Sequence, residues 1–215
     1  MTSVVLVHGL WMPGAEMVLL HRRLGTAGFQ THQFSYRSVL DGVEANARRL
    51  AEFLHSVPGE TVHLIGHSLG GVITVKALQD KPIERIGRIV CLGAPLQGSR
   101  AARAVARLPG GRWLIGKSML AFLGNAVDPW TAPMDLGLIA GSSPVGGGQL
   151  LGLASPHDGI IAVEETRLEG ATEHIVVRVS HLSMLWSRAV ANQVVSFLES
   201  GRFFDPVQCR HSESS

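Results

Sequence analysis

The sequence predicts an α/β domain built on a mostly parallel six-stranded sheet with helices on both faces. Three observations lead there. Short, continuous apolar runs such as Val4-Val5-Leu6-Val7 recur along the chain, as strands buried on both faces require. Helix-period stretches separate the runs, and that alternation implies parallel strands joined by right-handed crossovers. Gly-containing turns follow several of the runs, at the end where a parallel sheet collects its functional loops.

The first strand, Val4 to Val7, ends at His8-Gly9-Leu10. Pro13 and Gly14 introduce a helix through Met17, Leu20 and Leu24 that stops near Gly25 and Gly28, and Thr31 to Tyr36 reads as strand two. Asp41, with Glu44 three residues on, has the spacing of a capping box, and Val43, Ala47, Leu50 and Leu54 fall on one helical face. Pro58-Gly59 then turns the chain into strand three at Thr61 to Ile65. Gly87 to Cys91 is strand four, Leu136 to Ala140 strand five and Ile175 to Val179 strand six. Leu182, Leu185, Trp186, Ala189, Val190, Val194, Phe197 and Leu198 trace one face of a final helix stopped by Gly201.

The stretch from Ser99 to Asp135 has no strand of its own. Its portion from Arg112 to Ala126 is rich in large apolar residues and reads as a cap over the strands' carboxyl ends, with an ordinary packing helix as the alternative. A chain of 215 residues supports one substantial core, so residues 1–204 are expected to form a single domain. Its cap insertion spans about residues 99–135, and residues 205–215 form a tail.

With 46% hydrophobic and 17% charged residues, the composition excludes a disordered chain. The 19 basic and 17 acidic residues are scattered and leave a net charge of +2, which excludes a phosphate-binding stripe and argues against nucleic acid as a partner. Arg100, Arg103, Arg107 and Arg112 form the densest basic cluster and read as a solvated helix face. No uncharged apolar run reaches the length of a bilayer, so stable membrane insertion is not expected. The first strand begins too near Met1 to leave room for a signal peptide, which leads to the expectation of a cytoplasmic protein. Cys91 in an apolar strand and Cys209 in the tail are read as two reduced thiols.

Chemistry concentrates at Gly66-His67-Ser68-Leu69-Gly70-Gly71. This Gly-x-Ser-x-Gly pattern follows a strand and opens a helix, the context of a nucleophile elbow, in which a strained turn exposes the serine hydroxyl. Ser68 is thus a candidate nucleophile, although a Gly-rich connection in an ordinary sheet could carry the same letters. A serine is a weak nucleophile and needs a histidine to take its proton and a carboxylate to hold that histidine's tautomer. His181 stands directly after strand six, whereas His8, His21, His32, His55, His63 and His211 have no route to Ser68 and His67 points elsewhere. Asp158, in His157-Asp158-Gly159, follows strand five; Asp135 precedes it at the wrong end of the sheet, and Asp128 falls in the cap. The oxyanion formed on attack needs preorganised donors, for which the N–H groups of Leu69 and Leu10 are the candidates, with Gly9 permitting the backbone angles of its turn.

Taken together, His8-Gly9-Leu10, the elbow, Gly93-Ala94-Pro95 with Gly98-Ser99, His157-Asp158-Gly159 and Ser180-His181 resemble the α/β-hydrolase fold, and within it the bacterial lipase/esterase-like branch. The resemblance implies Ser68, Asp158 and His181 as the triad, Leu10 and Leu69 as oxyanion donors, and a minimal sheet lacking the fold's first two strands. Trp11, Trp113, Met119 and Phe122 are the expected pocket lining. Calcium-binding members carry an aspartate shortly after the catalytic histidine, and here Leu182-Ser183-Met184 follows, so no metal site is expected. No organic cofactor is expected either. The resemblance points to hydrolysis of a small carboxylic ester. The same machinery also serves thioesters and amides, and a non-catalytic ligand-binding member of the fold is the rival from another class.

Overall fold

The computed structural model describes residues 2–79, 83–123, 126–145, 153 and 156–204. Among these residues six strands, β1 (Thr2–Val7), β2 (Gln30–Phe34), β3 (Thr61–His67), β4 (Ile86–Leu92), β5 (Leu136–Gly141) and β6 (Glu173–Val177), form one sheet in the order β2-β1-β3-β4-β5-β6. Every pairing is parallel. Among the described residues six α-helices connect and cover them: α1 (Val18–Thr26), α2 (Val43–Ser56), α3 (Leu69–Gln79), α4 (Arg100–Ala106), α5 (Gly111–Phe122) and α6 (Arg188–Ser200).

Alternation along the strands divides the core between two layers, because successive side chains leave a strand on opposite faces. Val5, Val7, Leu64 and Ile89 pack with α2 and α3 residues such as Leu50, Leu54, Val72 and Ile73. Val4, Leu6, Ile65 and Val90 pack with Leu20 and Leu24 of α1 and with Val194 and Phe197 of α6. Phe197 is fully buried, so its truncation to alanine should cost about 3–5 kcal/mol. This two-sided burial explains why the strands read as apolar runs rather than alternating ones.

Several local expectations need correction. The cap of α2 is Gly42, which carries no capping side chain; Asp41 instead pairs with Arg49 and, at 3.9 Å, with Arg37. β2 ends at Phe34, and β6 starts two residues earlier than expected, at Glu173 opposite Gly137. It ends at Val177 because the chain bends there, with the Val179 N–H turned back onto the Val177 carbonyl at 2.8 Å. The helical run expected from Leu182 is interrupted. Ser183–Leu185 forms a 3₁₀ turn, and α6 begins only after Ser187, whose Oγ accepts from the Val190 N–H at 3.3 Å. Leu182, Trp186 and Ala189 consequently remain exposed. Gly201 does end α6, with φ 77° and its N–H on the Phe197 carbonyl at 2.8 Å.

Helices α4 and α5 pack on each other and both line the cavity at Ser68, at the carboxyl ends of the strands. The Lys117 N–H donates to the Val39 carbonyl at 2.8 Å, Trp11 Nε1–H donates to the Leu114 carbonyl at 2.6 Å, and Ser118 Oγ–H donates to the Asp41 carbonyl. α5 is kinked at Gly116, with φ 66°, where a Cβ would lie 2.8 Å from Val39 Cα and the backbones must touch.

Candidate active site

β3 and α3 meet at Ser68, which takes φ 54°, a left-handed conformation unusual for a residue with a side chain. The turn is held from both sides, since the Ser68 N–H donates to the Leu92 carbonyl at 2.9 Å and the Gly71 N–H donates to the Ser68 carbonyl at 3.0 Å. α3 can start this close to the sheet only because Gly70 lies against the end of β1; a Cβ there would be 2.2 Å from the Val7 carbonyl oxygen. Steric necessity therefore accounts for the glycine after the serine, and the strained turn directs the hydroxyl out of the sheet.

β5 and β6 deliver the other two candidates. Asp158 is buried, and its Oδ1 accepts from the N–H groups of Ile160 at 2.9 Å and Ile161 at 2.7 Å. Its Oδ2 lies 2.7 Å from His181 Nδ1, and the His181 N–H donates to the Asp158 carbonyl at 2.9 Å. Burial opposes ionisation of Asp158, but the hydrogen bond and charge of His181, with the Ile161 and Ile160 N–H groups, outweigh it and hold the carboxyl below its ordinary value. An ionised Asp158 holds His181 in the tautomer protonated on Nδ1.

Ser68 and His181 line one cavity of about 320 Å³, with Leu10, Met12, Ala102, Ile115, Met119, Ile161 and Leu182 among its other walls. Among the described residues Ser68 Oγ makes no hydrogen bond to His181 Nε2, an open geometry common before substrate binds. The N–H groups of Leu10 and Leu69 carry no acceptor among the described residues. Two wider depressions, of about 610 and 660 Å³, lie elsewhere, one around Glu84 and Asp135 and the other between α1 and α6; neither contains Ser68. Chemistry rather than size thus selects the site. Among the described residues no group of three or more His, Cys, Asp and Glu side chains is placed to hold a metal ion, and no helix is long and apolar enough to cross a membrane.

Of the residues expected to line the pocket, Met119 does so. Trp113 does not: it is 74% exposed and meets Trp11, itself 51% exposed, at a tilt of 55° with ring centroids 5.8 Å apart, outside the cavity. Apolar character alone did not reveal which face of α5 turns inward. The side chain of Phe122 lies outside the described residues. Gly9 also acts otherwise than expected. Its φ is not positive, and the left-handed residue of that turn is Trp11, at φ 61°. Gly9 relieves crowding, because a Cβ would stand 3.1 Å from Met12 Sδ and 3.2 Å from Ser68 Cβ and those neighbours would have to give way.

Sequence reasoning assigned no role to Gly93 or Glu165. Gly93, at φ 56°, lies beneath the Asp158–His181 pair, where a Cβ would be 3.2 Å from both Asp158 Oδ2 and His181 Nδ1. The Gly directly after an apolar strand was the available signal. Buried Glu165 accepts from the Arg100 N–H at 2.6 Å and the Ala162 N–H at 2.9 Å, tying the Asp158 loop to the start of α4. A lone glutamate offers no sequence signal for such a role. His8 is a packing residue, stacked on Tyr36 at 4.3 Å and kept neutral by burial.

This sheet and elbow define an alpha/beta hydrolase, and the model of the alpha/beta hydrolase family matches residues 4–193. The chain belongs to that family. Among solved structures it is similar to the mature form of the Bacillus licheniformis lipase BlEst2, with 19% identity and a TM-score of 0.76 over 94% of this chain and 92% of that one. It spans only 47% of the propeptide form of that lipase. The metagenomic carboxyl esterase MGS0156 is 20% identical with a TM-score of 0.62, over 85% of this chain and 65% of that one. A bromoperoxidase from Bacillus anthracis is also similar, at 16% identity and a TM-score of 0.63, over 93% and 92% of the two chains. No curated protein matches the sequence.

Proposed function

We propose that this chain is a serine hydrolase that cleaves small carboxylic esters. The observation that carries the reading is the buried Asp158–His181 contact of 2.7 Å at the wall of an apolar cavity that Ser68 also lines. In the proposed cycle His181 Nε2 takes the Ser68 proton as Oγ attacks the ester carbonyl, and the positive imidazolium is stabilised by Asp158. The oxyanion is received by the N–H groups of Leu10 and Leu69. His181 then protonates the departing alcohol, and a water activated by the same nitrogen releases the acid from Ser68.

Apolar walls at Val105, Ile115, Met119 and Leu182 suit the acyl group, and the modest volume favours short or medium chains over long ones. The fold alone does not select the reaction, as the bromoperoxidase neighbour illustrates. Turnover of p-nitrophenyl butyrate, together with labelling of Ser68 by a fluorophosphonate, tests the reading, and thioester and anilide analogues place the preferred bond. Ser68→Ala should remove both signals while leaving the protein folded, with a loss of at least about 10³-fold in kcat. Activity within about tenfold of wild type would exclude Ser68 as nucleophile.

A further inference from the structure

His67 occupies the variable position before the serine, where the elbow itself asks for no particular side chain. It is nonetheless completely buried, and burial pushes its imidazole down to about 3, so the ring is neutral at working pH. Its Nε2 lies 3.0 Å from the His181 carbonyl oxygen. A carbonyl only accepts, so Nε2 carries the proton and Nδ1 keeps a lone pair; Nδ1 has no partner among the described residues. The two imidazole rings sit 4.7 Å apart, inclined by 47°.

We propose that His67 is a positioning residue for His181, tying the loop that carries the base to the residue adjacent to the nucleophile through the Nε2–H to carbonyl hydrogen bond. The proposal rests on the reading of Ser68 and His181 as nucleophile and base. His181 is then held at three points: its N–H on the Asp158 carbonyl at 2.9 Å, its Nδ1 on Asp158 Oδ2 at 2.7 Å, and its carbonyl on His67. The first two fix the base relative to Asp158, and only the third fixes it relative to the elbow. An apolar ring at position 67 would fill the space but leave the His181 carbonyl without its donor. A Cβ on Gly9 would stand 3.3 Å from His67 Nδ1, so the turn bearing Leu10 packs against the same ring.

The test compares wild type, His67→Phe and His67→Gln with p-nitrophenyl butyrate, alongside Ser68→Ala as the inactive control. The phenylalanine keeps the volume and removes the donor, whereas the glutamine restores one. The Phe variant should lose about 10- to 100-fold in kcat with KM within about twofold, because the base is displaced while the acyl cavity is intact. Fluorophosphonate labelling of Ser68 should slow in parallel, and the Gln variant should recover to within about threefold of wild type. A Phe variant with wild-type kcat, or a Gln variant as slow as the Phe variant, overturns the proposal. If the Phe variant does not fold, ¹⁵N–¹H spectra of wild-type imidazoles decide: His67 should be the Nε2–H tautomer from pH 5 to 8, and an Nδ1–H tautomer overturns the proposal. Failure of the site reading is separable, since an inert wild type sinks that reading, whereas an active wild type with an indifferent Phe variant sinks only the role of His67.

Discussion

His63 lies on β3, away from the Ser68 end, and makes the folded protein sensitive to acid. Its Nδ1 accepts the Arg88 N–H at 2.7 Å, and burial, helped by the nearby Arg88 charge, lowers its pKa from 6.5 to about 4. Between those values the unfolded chain binds a proton that the folded protein refuses. The contribution is therefore fully present above about pH 7 and is lost as pH falls through 6.5 toward 4. At about 1.4 kcal/mol per pH unit, a drop from pH 8 to 5 costs about 2 kcal/mol, and discounting for residual solvent screening leaves about 1–2 kcal/mol. His63→Asn keeps an acceptor near the Nδ1 position and cannot titrate. Urea unfolding followed by tryptophan fluorescence at pH 8 and pH 5 should show wild type losing that much more stability than the variant. The other histidines whose pKa desolvation lowers, His8, His67 and His174, contribute to both proteins and cancel in the comparison. Identical pH dependence in the two proteins would refute the argument.

Asp158→Asn should lower kcat by at least about 10³-fold. Asp135→Asn, which breaks a pair with Arg88 at 3.2 Å beside the carboxyl end of α6, should stay within about threefold by the same assay; a reversed result would assign the acid to Asp135. Gly93→Ala should lose about 1–2 kcal/mol in a melt from its positive φ and about 10²-fold in kcat from the displaced acid–base pair, and unchanged kinetics would show that this close approach is unimportant. Across p-nitrophenyl esters from acetate to palmitate, kcat/KM should rise by up to about 0.8 kcal/mol per methylene until the cavity is full. Met119→Ala should move that optimum to longer chains while Trp113→Ala leaves it in place, so equal shifts in both would place the acyl group elsewhere.

The strands themselves and the elbow were legible because their signals are local and redundant. Val4 to Val7 and Val62 to Ile65 are apolar runs that only a doubly covered sheet buries, and Gly66 to Gly71 concentrate close approaches that no side chain permits. That Asp158 and His181 would meet was readable from position, since each follows a strand of a parallel sheet at the same end. What escaped depends on three-dimensional direction. Nothing in Trp113 or Met119 says that one faces water and the other the cavity, because the kink at Gly116 rotates the helix between them. The early end of β6 at Val177 and the 3₁₀ turn at Ser183 place His181 by backbone bonds that apolar periodicity does not encode. His67 was assigned no partner because its partner is a backbone carbonyl 114 residues away.

The placement of β1 inside the sheet, one strand in from the β2 edge, also governs how the chain must be assembled. Its neighbours are β2 on one side and β3 on the other, and Val4 pairs with His63 in a strand that begins only at Thr61. During synthesis Val4 to Val7 therefore wait, apolar and with open backbone edges, until two helices and two more strands have been made. All-parallel order gives no hairpin that could shelter them sooner, and loop-closure entropy must be met before any ladder forms. Refolding should accordingly be slow for a chain of this length, with self-association growing as concentration rises, because the same exposed segment can pair with another chain's β1 before its own β3 arrives.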